Sequence, residues 1–205
     1  MKLFSFPLIF WLLLIVFGVH VFVAGVPGNY FVFDEAYYSP SSLDALNGVA
    51  SNLEHPPLVK LIVGAAIGVG GNNWLAWRLP MVLFAVAASY LVYLIVKKFL
   101  SEKLSLFAVG LMSLSTIFLL IGSTNVLEMP FIAFGLAGVY FALQSKYGLS
   151  GLVFGLSFLC KELAVVTFAA VLVFFVVKRV PFWRIFWFSA VGFLVAFFGL
   201  WLFEL

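Results

Sequence analysis

Long apolar runs separated by short polar breaks dominate this chain. The first run covers residues 8–24 and ends where Gly25, Pro27, Gly28 and Asn29 cluster, residues that stop helices. From there to Arg78 the sequence is mixed and reads as one loop. Apolar runs resume at 79–96, 104–123, 130–143, 149–177 and 185–205, with Lys97-Lys98, the Ser123–Met129 turn and Gln144-Ser145-Lys146-Tyr147-Gly148 among the breaks. Crossing a bilayer takes about 20 apolar residues in a helix, so these runs predict an all-α integral membrane protein.

Two shorter helices are predicted inside the loop. Ser39-Pro40 looks like an N-cap with proline in the first turn, and Leu43, Leu46, Ala50 and Leu53 follow at a spacing that puts them on one helical face. The second runs from Pro57 to Gly70-Gly71, about 13 residues, too short to cross and therefore expected to lie in the interface or re-enter. The run at 149–177 is interrupted by Lys161-Glu162. As one helix it would rise roughly 44 Å, longer than the hydrocarbon core; as two it makes a hairpin turning at the charged pair.

Composition and charge refine this picture. An apolar share of 65% and a mean hydropathy of +1.23 exclude an ordinary soluble domain. Cys160 is the single cysteine, so neither a disulfide framework nor a cysteine metal site is expected. The first run is expected to be a retained helix, because Val21-Phe22-Val23-Ala24-Gly25 is a poor cleavage site. Basic residues gather on the cytoplasmic side of membrane proteins. With the hairpin, Lys2, Lys97, Lys98, Lys103, Lys146, Lys178, Arg179 and Arg184 share one side, leaving Lys60, Arg78 and Lys161 on the other. That arrangement predicts seven crossings, a cytoplasmic N-terminus and an external loop at 25–78. The basic residues lie between apolar runs, so nucleic acid is not implied.

The acids then collect on the external side. Asp34, Glu35, Asp44, Glu54, Glu128 and Glu162 fall there with Lys60, Arg78 and Lys161, in a chain only 9% charged. Charge at membrane depth is costly and usually marks a functional cavity, although pairing among these groups would also account for it. Carboxylates that take a proton beside cations that hold a phosphate are the equipment for transferring a group from a lipid phosphate. Blander readings stand beside this one. Asp34-Glu35 could be a solvated loop start, His55-Pro56-Pro57 a rigid turn before a helix, His20 a buried hydrogen-bonder, and Tyr37, Tyr38, Trp74 and Trp77 an aromatic belt.

A first helix followed by FDEAYY (33–38), then HPPLVK (55–60), then RLP (78–80) at the start of the next helix resembles the N-terminal half of the protein O-mannosyltransferase family and its relatives, the lipid A aminoarabinose transferases among them. Asn125-Val126-Leu127-Glu128-Met129-Pro130 resembles the family's acidic position between helices. The segment ending in GLSFLCKE (155–162) resembles its glycine-containing helix. No arginine precedes the second acidic position, where Ser123 and Thr124 stand. The resemblance extends over essentially the whole chain and matches the seven-helix module that these proteins share.

The resemblance implies a GT-C type bundle and a glycosyltransferase that moves a mannose-like hexose, with inversion, from a polyprenyl- or dolichyl-phosphate donor to a hydroxyl of a protein, lipid or glycan on the external face. It implies no cofactor and no metal. Asp34 aligns with the family's aspartate and is the expected general base; Glu35 and Glu128 would support it. Lys60, Arg78 and Lys161 are the candidates for the donor phosphate, and Tyr37 and His55 for positioning substrate. The alternative is a non-catalytic subunit or lipid-carrier-binding scaffold that needs a partner chain.

Overall fold

In the computed structural model the structure describes residues 7–49 and 51–204, and among these the chain is all-helical, with ten helices. In order they are α1 (Leu8–Gly25), α2 (Glu35–Leu46), α3 (Leu58–Gly70), α4 (Trp74–Val96), α5 (Glu102–Ser113), α6 (Thr116–Ser123), α7 (Glu128–Leu143), α8 (Tyr147–Cys160), α9 (Ala164–Val177) and α10 (Phe182–Glu204). Three of them, α1, α4 and α10, are long and apolar enough to cross a membrane, or four spans if α5 and α6 are counted as one. Large apolar side chains such as Phe22, Leu83, Trp183, Phe193 and Trp201 lie exposed on their outer faces. An outward apolar surface on helices whose backbones satisfy themselves is what a bilayer requires. The chain is an all-α membrane protein.

Four predicted boundaries move, each for a local reason. α2 begins at Glu35, not at Ser39-Pro40, because Phe33 takes a left-handed φ of 58° and the Asp34 carbonyl accepts from the Tyr37 and Tyr38 N–H groups. It ends at Leu46, where Gly48 (φ 73°) lets the Val49 N–H reach back to the Asp44 carbonyl. Leu53 is therefore outside the helix, while Ala50 and Lys2 lie outside the described residues. α4 starts five residues before the expected Leu79, since the Asn73 side chain accepts from the Leu75 and Ala76 N–H groups and caps it. Arg78 is thus a helical residue. The run at 104–123 is two helices meeting at 67°. Ser115 Oγ donates to the Met112 carbonyl, a side-chain bond that competes with a continuous helix, and Ser113 Oγ pairs with Ser89 Oγ of α4.

The hairpin at Lys161-Glu162 is present. Tyr147 packs on Phe175 at 5.2 Å and Phe154 on Phe168 at 5.8 Å between ring centroids, so as α8 advances α9 retreats. α8 lies between α7 and α10, and α4 packs against α1, α5 and α7. α8 comes so close to α10 because Gly151 and Gly155 face Phe188, Gly192 and Val195; small residues at this spacing let helix backbones approach in membranes. The main core runs from Tyr38 on α2 through Val63, Trp77 and Met81 to Met129 and Cys160. Tyr38 and Trp77, expected in an exposed aromatic belt, are core residues at 8% and 5% exposure. His20 is the buried hydrogen-bonder: Nδ1 and Ser123 Oγ are 3.0 Å apart.

Candidate active site

Arg78 organises one end of the bundle. In the second turn of α4 it commits all five N–H donors, Nε to Glu35 Oε1 (2.8 Å), Nη2 to Glu35 Oε2 (2.7 Å) and the Tyr30 carbonyl (2.7 Å), and Nη1 to the Ala24 (2.7 Å) and Gly28 (2.8 Å) carbonyls. The last turn of α1 and the break after it are thereby bound to α4. Glu35 is equally engaged, accepting from the Asn125 (2.7 Å) and Val32 (2.8 Å) N–H groups as well. Asn125 Nδ2 donates to Ser39 Oγ at 3.1 Å, which ties the turn before α7 to α2 and sets where Glu128 emerges. A charge this deep is stable only when fully paired and hydrogen-bonded.

Lys60 is the second closed group. Its Nζ donates to the Ser51 (3.3 Å), Asn52 (2.6 Å) and His55 (3.0 Å) carbonyls, and the residue is 1% exposed. Burial pushes its ammonium pKa down. Of the cations expected to hold a donor phosphate, Arg78 has every donor committed and Lys60 is buried under the loop whose carbonyls it binds. They shape the site from beneath. Glu35 likewise serves as the partner of Arg78, with no exposed oxygen to offer an acceptor.

The remaining predicted residues, Asp34, Tyr37, His55, Glu128 and Lys161, are exposed or partly exposed. The carboxylate of Asp34, exposed at the start of α2, makes no hydrogen bond or ion pair among the described residues. Glu128, at the start of α7, pairs with Lys161 beyond the end of α8. His55 Nδ1 lies 3.3 Å from Glu162 Oε2, and its ring meets Tyr38 edge-on at 6.0 Å. Tyr38 sits among these carboxylates: burial, then the charges of Asp34, Glu128, Glu162 and Glu54, push its phenol up to about 12. At Glu162 burial works against the charged form, but hydrogen bonds from its own backbone and from His55, with the charges of His55 and Lys161, hold its carboxyl below the usual range. Tyr37 is 68% exposed. Among the described residues no three His, Cys, Asp or Glu side chains converge to hold a metal ion.

Sequence reasoning missed Asn125, Ser39 and the central place of Tyr38. Asn125 is legible in hindsight as the single amide in the polar break before Glu128; Ser39 reads only as a cap until α2 is seen to begin four residues earlier. From the Lys161 side an apolar groove of about 580 Å³ opens between α8, α9 and α10, walled by Ala164, Val165, Phe168, Phe158, Phe193 and Phe197.

Among the described residues the helical membrane bundle thus carries carboxylates and a lysine at one end and an apolar groove between α8, α9 and α10. The model of the dolichyl-phosphate-mannose-protein mannosyltransferase family matches residues 54–203, and the chain belongs to that family. The matched span takes in His55, Lys60, Arg78, Glu128 and Lys161, whereas Asp34 and Glu35 precede it. No curated protein and no solved structure matches the chain.

Proposed function

We propose that the chain is a GT-C glycosyltransferase that moves a mannose-like hexose from a polyprenyl- or dolichyl-phosphate donor to a hydroxyl of a protein, lipid or glycan acceptor. One observation carries this reading. The exposed Asp34 carboxylate, unpaired among the described residues, stands with the Glu128–Lys161 pair around Tyr38, beside a groove that suits a lipid tail. Asp34 takes the proton of the acceptor hydroxyl. The acceptor oxygen then attacks the sugar's anomeric carbon from the face opposite the donor phosphate; that carbon–oxygen bond breaks, and its electron pair leaves on the phosphate. Lys161 Nζ, with one donor engaged by Glu128, offers its others to the leaving phosphate. A single displacement inverts the sugar carbon.

The same reading sets the chain across the membrane seven times, counting α5 and α6 as one crossing and α7, α8 and α9 as short ones. A helix of 14 to 16 residues rises about 21–24 Å, a shortfall that local thinning of the bilayer accommodates. The N-terminus is cytoplasmic and the Asp34 end external. Asp34→Asn, nearly isosteric, should lower turnover of a polyprenyl-phosphate mannose donor roughly 10²–10⁴-fold while donor binding persists. Turnover within a few-fold of the unmutated chain would overturn Asp34 as the base.

A partner-dependent reading is favoured by the closure of Lys60 and Arg78, which leaves Lys161 alone of the three candidate phosphate cations. Under it the unmutated chain binds donor but transfers sugar only when a second polypeptide is added.

A further inference from the structure

At the end of the bundle away from Asp34, the last turns of α7 and α9 and the chain just beyond α4 border a cleft of about 390 Å³. Lys98, Lys178 and Ser145 line it together with Phe99, Tyr147 and Phe174. Neither Lys98 nor Lys178 has an ion pair among the described residues; the pair at this end joins Lys97 to Glu102. Both ammonium groups lie near aromatic faces, Lys98 Nζ 5.8 Å from the Tyr140 centroid and Lys178 Nζ 6.0 Å from that of Phe174. Their stems are held on apolar surface while the charges stay available.

The backbone around the cleft is unusual in the same place. α7 and α9 close with the same reversal, the Lys146 N–H donating to the Phe141 carbonyl and the Val180 N–H to the Phe175 carbonyl. That reversal needs a left-handed residue, normally glycine, yet Ser145 (φ 59°) and Arg179 (φ 51°) occupy it. Side chains kept in a strained conformation beside a cleft point toward function. The charge balance points the same way: Lys97, Lys98, Lys103, Lys146, Lys178, Arg179 and Arg184 are offset at this end by Glu102 alone. Such a field concentrates anions.

Two unpaired ammonium groups and a hydroxyl above a wall of Leu143, Phe174 and Phe175 fit a phosphate that carries apolar chains. We infer that this cleft binds the phosphate of an anionic membrane lipid, with Lys98 and Lys178 donating charge-assisted hydrogen bonds to its oxygens. The site is separate from the proposed sugar-transfer end and does not depend on Asp34.

The test uses the full chain purified in detergent, with retention of phosphatidylglycerol, phosphatidylcholine and inorganic phosphate measured by native mass spectrometry. The unmutated chain should retain phosphatidylglycerol over phosphatidylcholine, and K98Q/K178Q should weaken that retention roughly tenfold. K97Q/K103Q removes the same charge away from the cleft and should leave retention within about twofold, since surface charges there act only through the screened field. All four lysines are exposed or at a helix end, so matched thermal midpoints for the two double variants establish that both are folded. Equal losses in the two variants, or no preference for the anionic lipid, would overturn the site. Inorganic phosphate binding as tightly as phosphatidylglycerol would also overturn it, by making the cleft a small-anion site.

Discussion

Arg78 and Glu35 form a two-pronged ion pair, Nε to Oε1 at 2.8 Å and Nη2 to Oε2 at 2.7 Å, with neither side chain exposed to solvent. The pair joins the start of α2 to the second turn of α4, and through the Glu35–Asn125 and Arg78–Ala24 bonds it also reaches the turn before α7 and the end of α1. Its parallel bonds are the geometry in which an arginine and a carboxylate bind best. Four segments distant in sequence are positioned by two side chains.

Removing one partner leaves the other charge buried and unpaired. Glu35→Gln is therefore expected to destabilise the protein by about 3–5 kcal/mol, and Arg78→Lys, which cannot reproduce the planar fork, by a comparable amount. Thermal unfolding in detergent checks this. Unaltered stability of Glu35→Gln with loss of turnover would return Glu35 to a catalytic role.

Close packing of α8 on α10 makes a second prediction. A Cβ added at Gly151 would lie 2.2 Å from the Phe188 carbonyl oxygen, a backbone atom that cannot step aside, whereas one at Gly148 meets nothing within 4 Å. Gly151→Ala should cost about 1–3 kcal/mol. Gly148→Ala should be neutral or slightly stabilising, by less than about 1 kcal/mol, through helix propensity. Equal unfolding midpoints for the two variants would contradict the close α8–α10 approach.

Tyr38 reports the charge on Asp34. Its phenol is pushed from 10.0 up to about 12, first by burial and then by Asp34 and the other carboxylates. The folded state holds this proton more tightly than the unfolded state does. The resulting stability is fully present below pH 10.0 and is lost as the pH rises through about 12. Tyr38→Phe should flatten that part of the stability profile, and Asp34→Asn should bring the tyrosinate absorbance rise to lower pH. An unmoved titration in Asp34→Asn would place the carboxylate too far from Tyr38 to act on it.

The topology is open to labelling. Single cysteines at the exposed positions Asn47 and Asn72 should react with an impermeant reagent from outside, and ones at Glu102 and Lys146 only from inside. Reaction of Asn72→Cys from inside alone would make α3 a crossing and turn the basic end outward.

Hydropathy runs made most of the architecture readable, because a helix in lipid must satisfy its own backbone and show apolar side chains on its outer face. The turn at Lys161-Glu162 was equally legible, since one helix over 149–177 would overrun the hydrocarbon core and only a hairpin puts Lys178, Arg179 and Arg184 on the side of the other basic residues. The bend between α5 and α6 was not: Ser113, Leu114 and Ser115 look like ordinary polar tolerance in a helix until Ser89 of α4 is seen to bond Ser113. The start of α4 was missed because Arg78 reads as the end of the loop until the Asn73 side chain is seen to cap the helix five residues earlier.

By itself the sequence determined the class of protein, the helix-forming runs, the clustering of acids at one end and of bases at the other, and the set of residues from which a site could be built. Only the tertiary structure decided which of them are already engaged by the protein itself. Arg78, Lys60 and Lys161 are alike as cations on a line of text, but whether a cation can serve a ligand depends on how many of its donors are already engaged. The carbonyls that engage Arg78 lie 48 to 54 positions earlier in the chain. Those that engage Lys60 come from a loop whose path no periodicity encodes. Asp34 remains open for the converse reason: the backbone turn at Phe33 presents its carboxylate where no described donor reaches it.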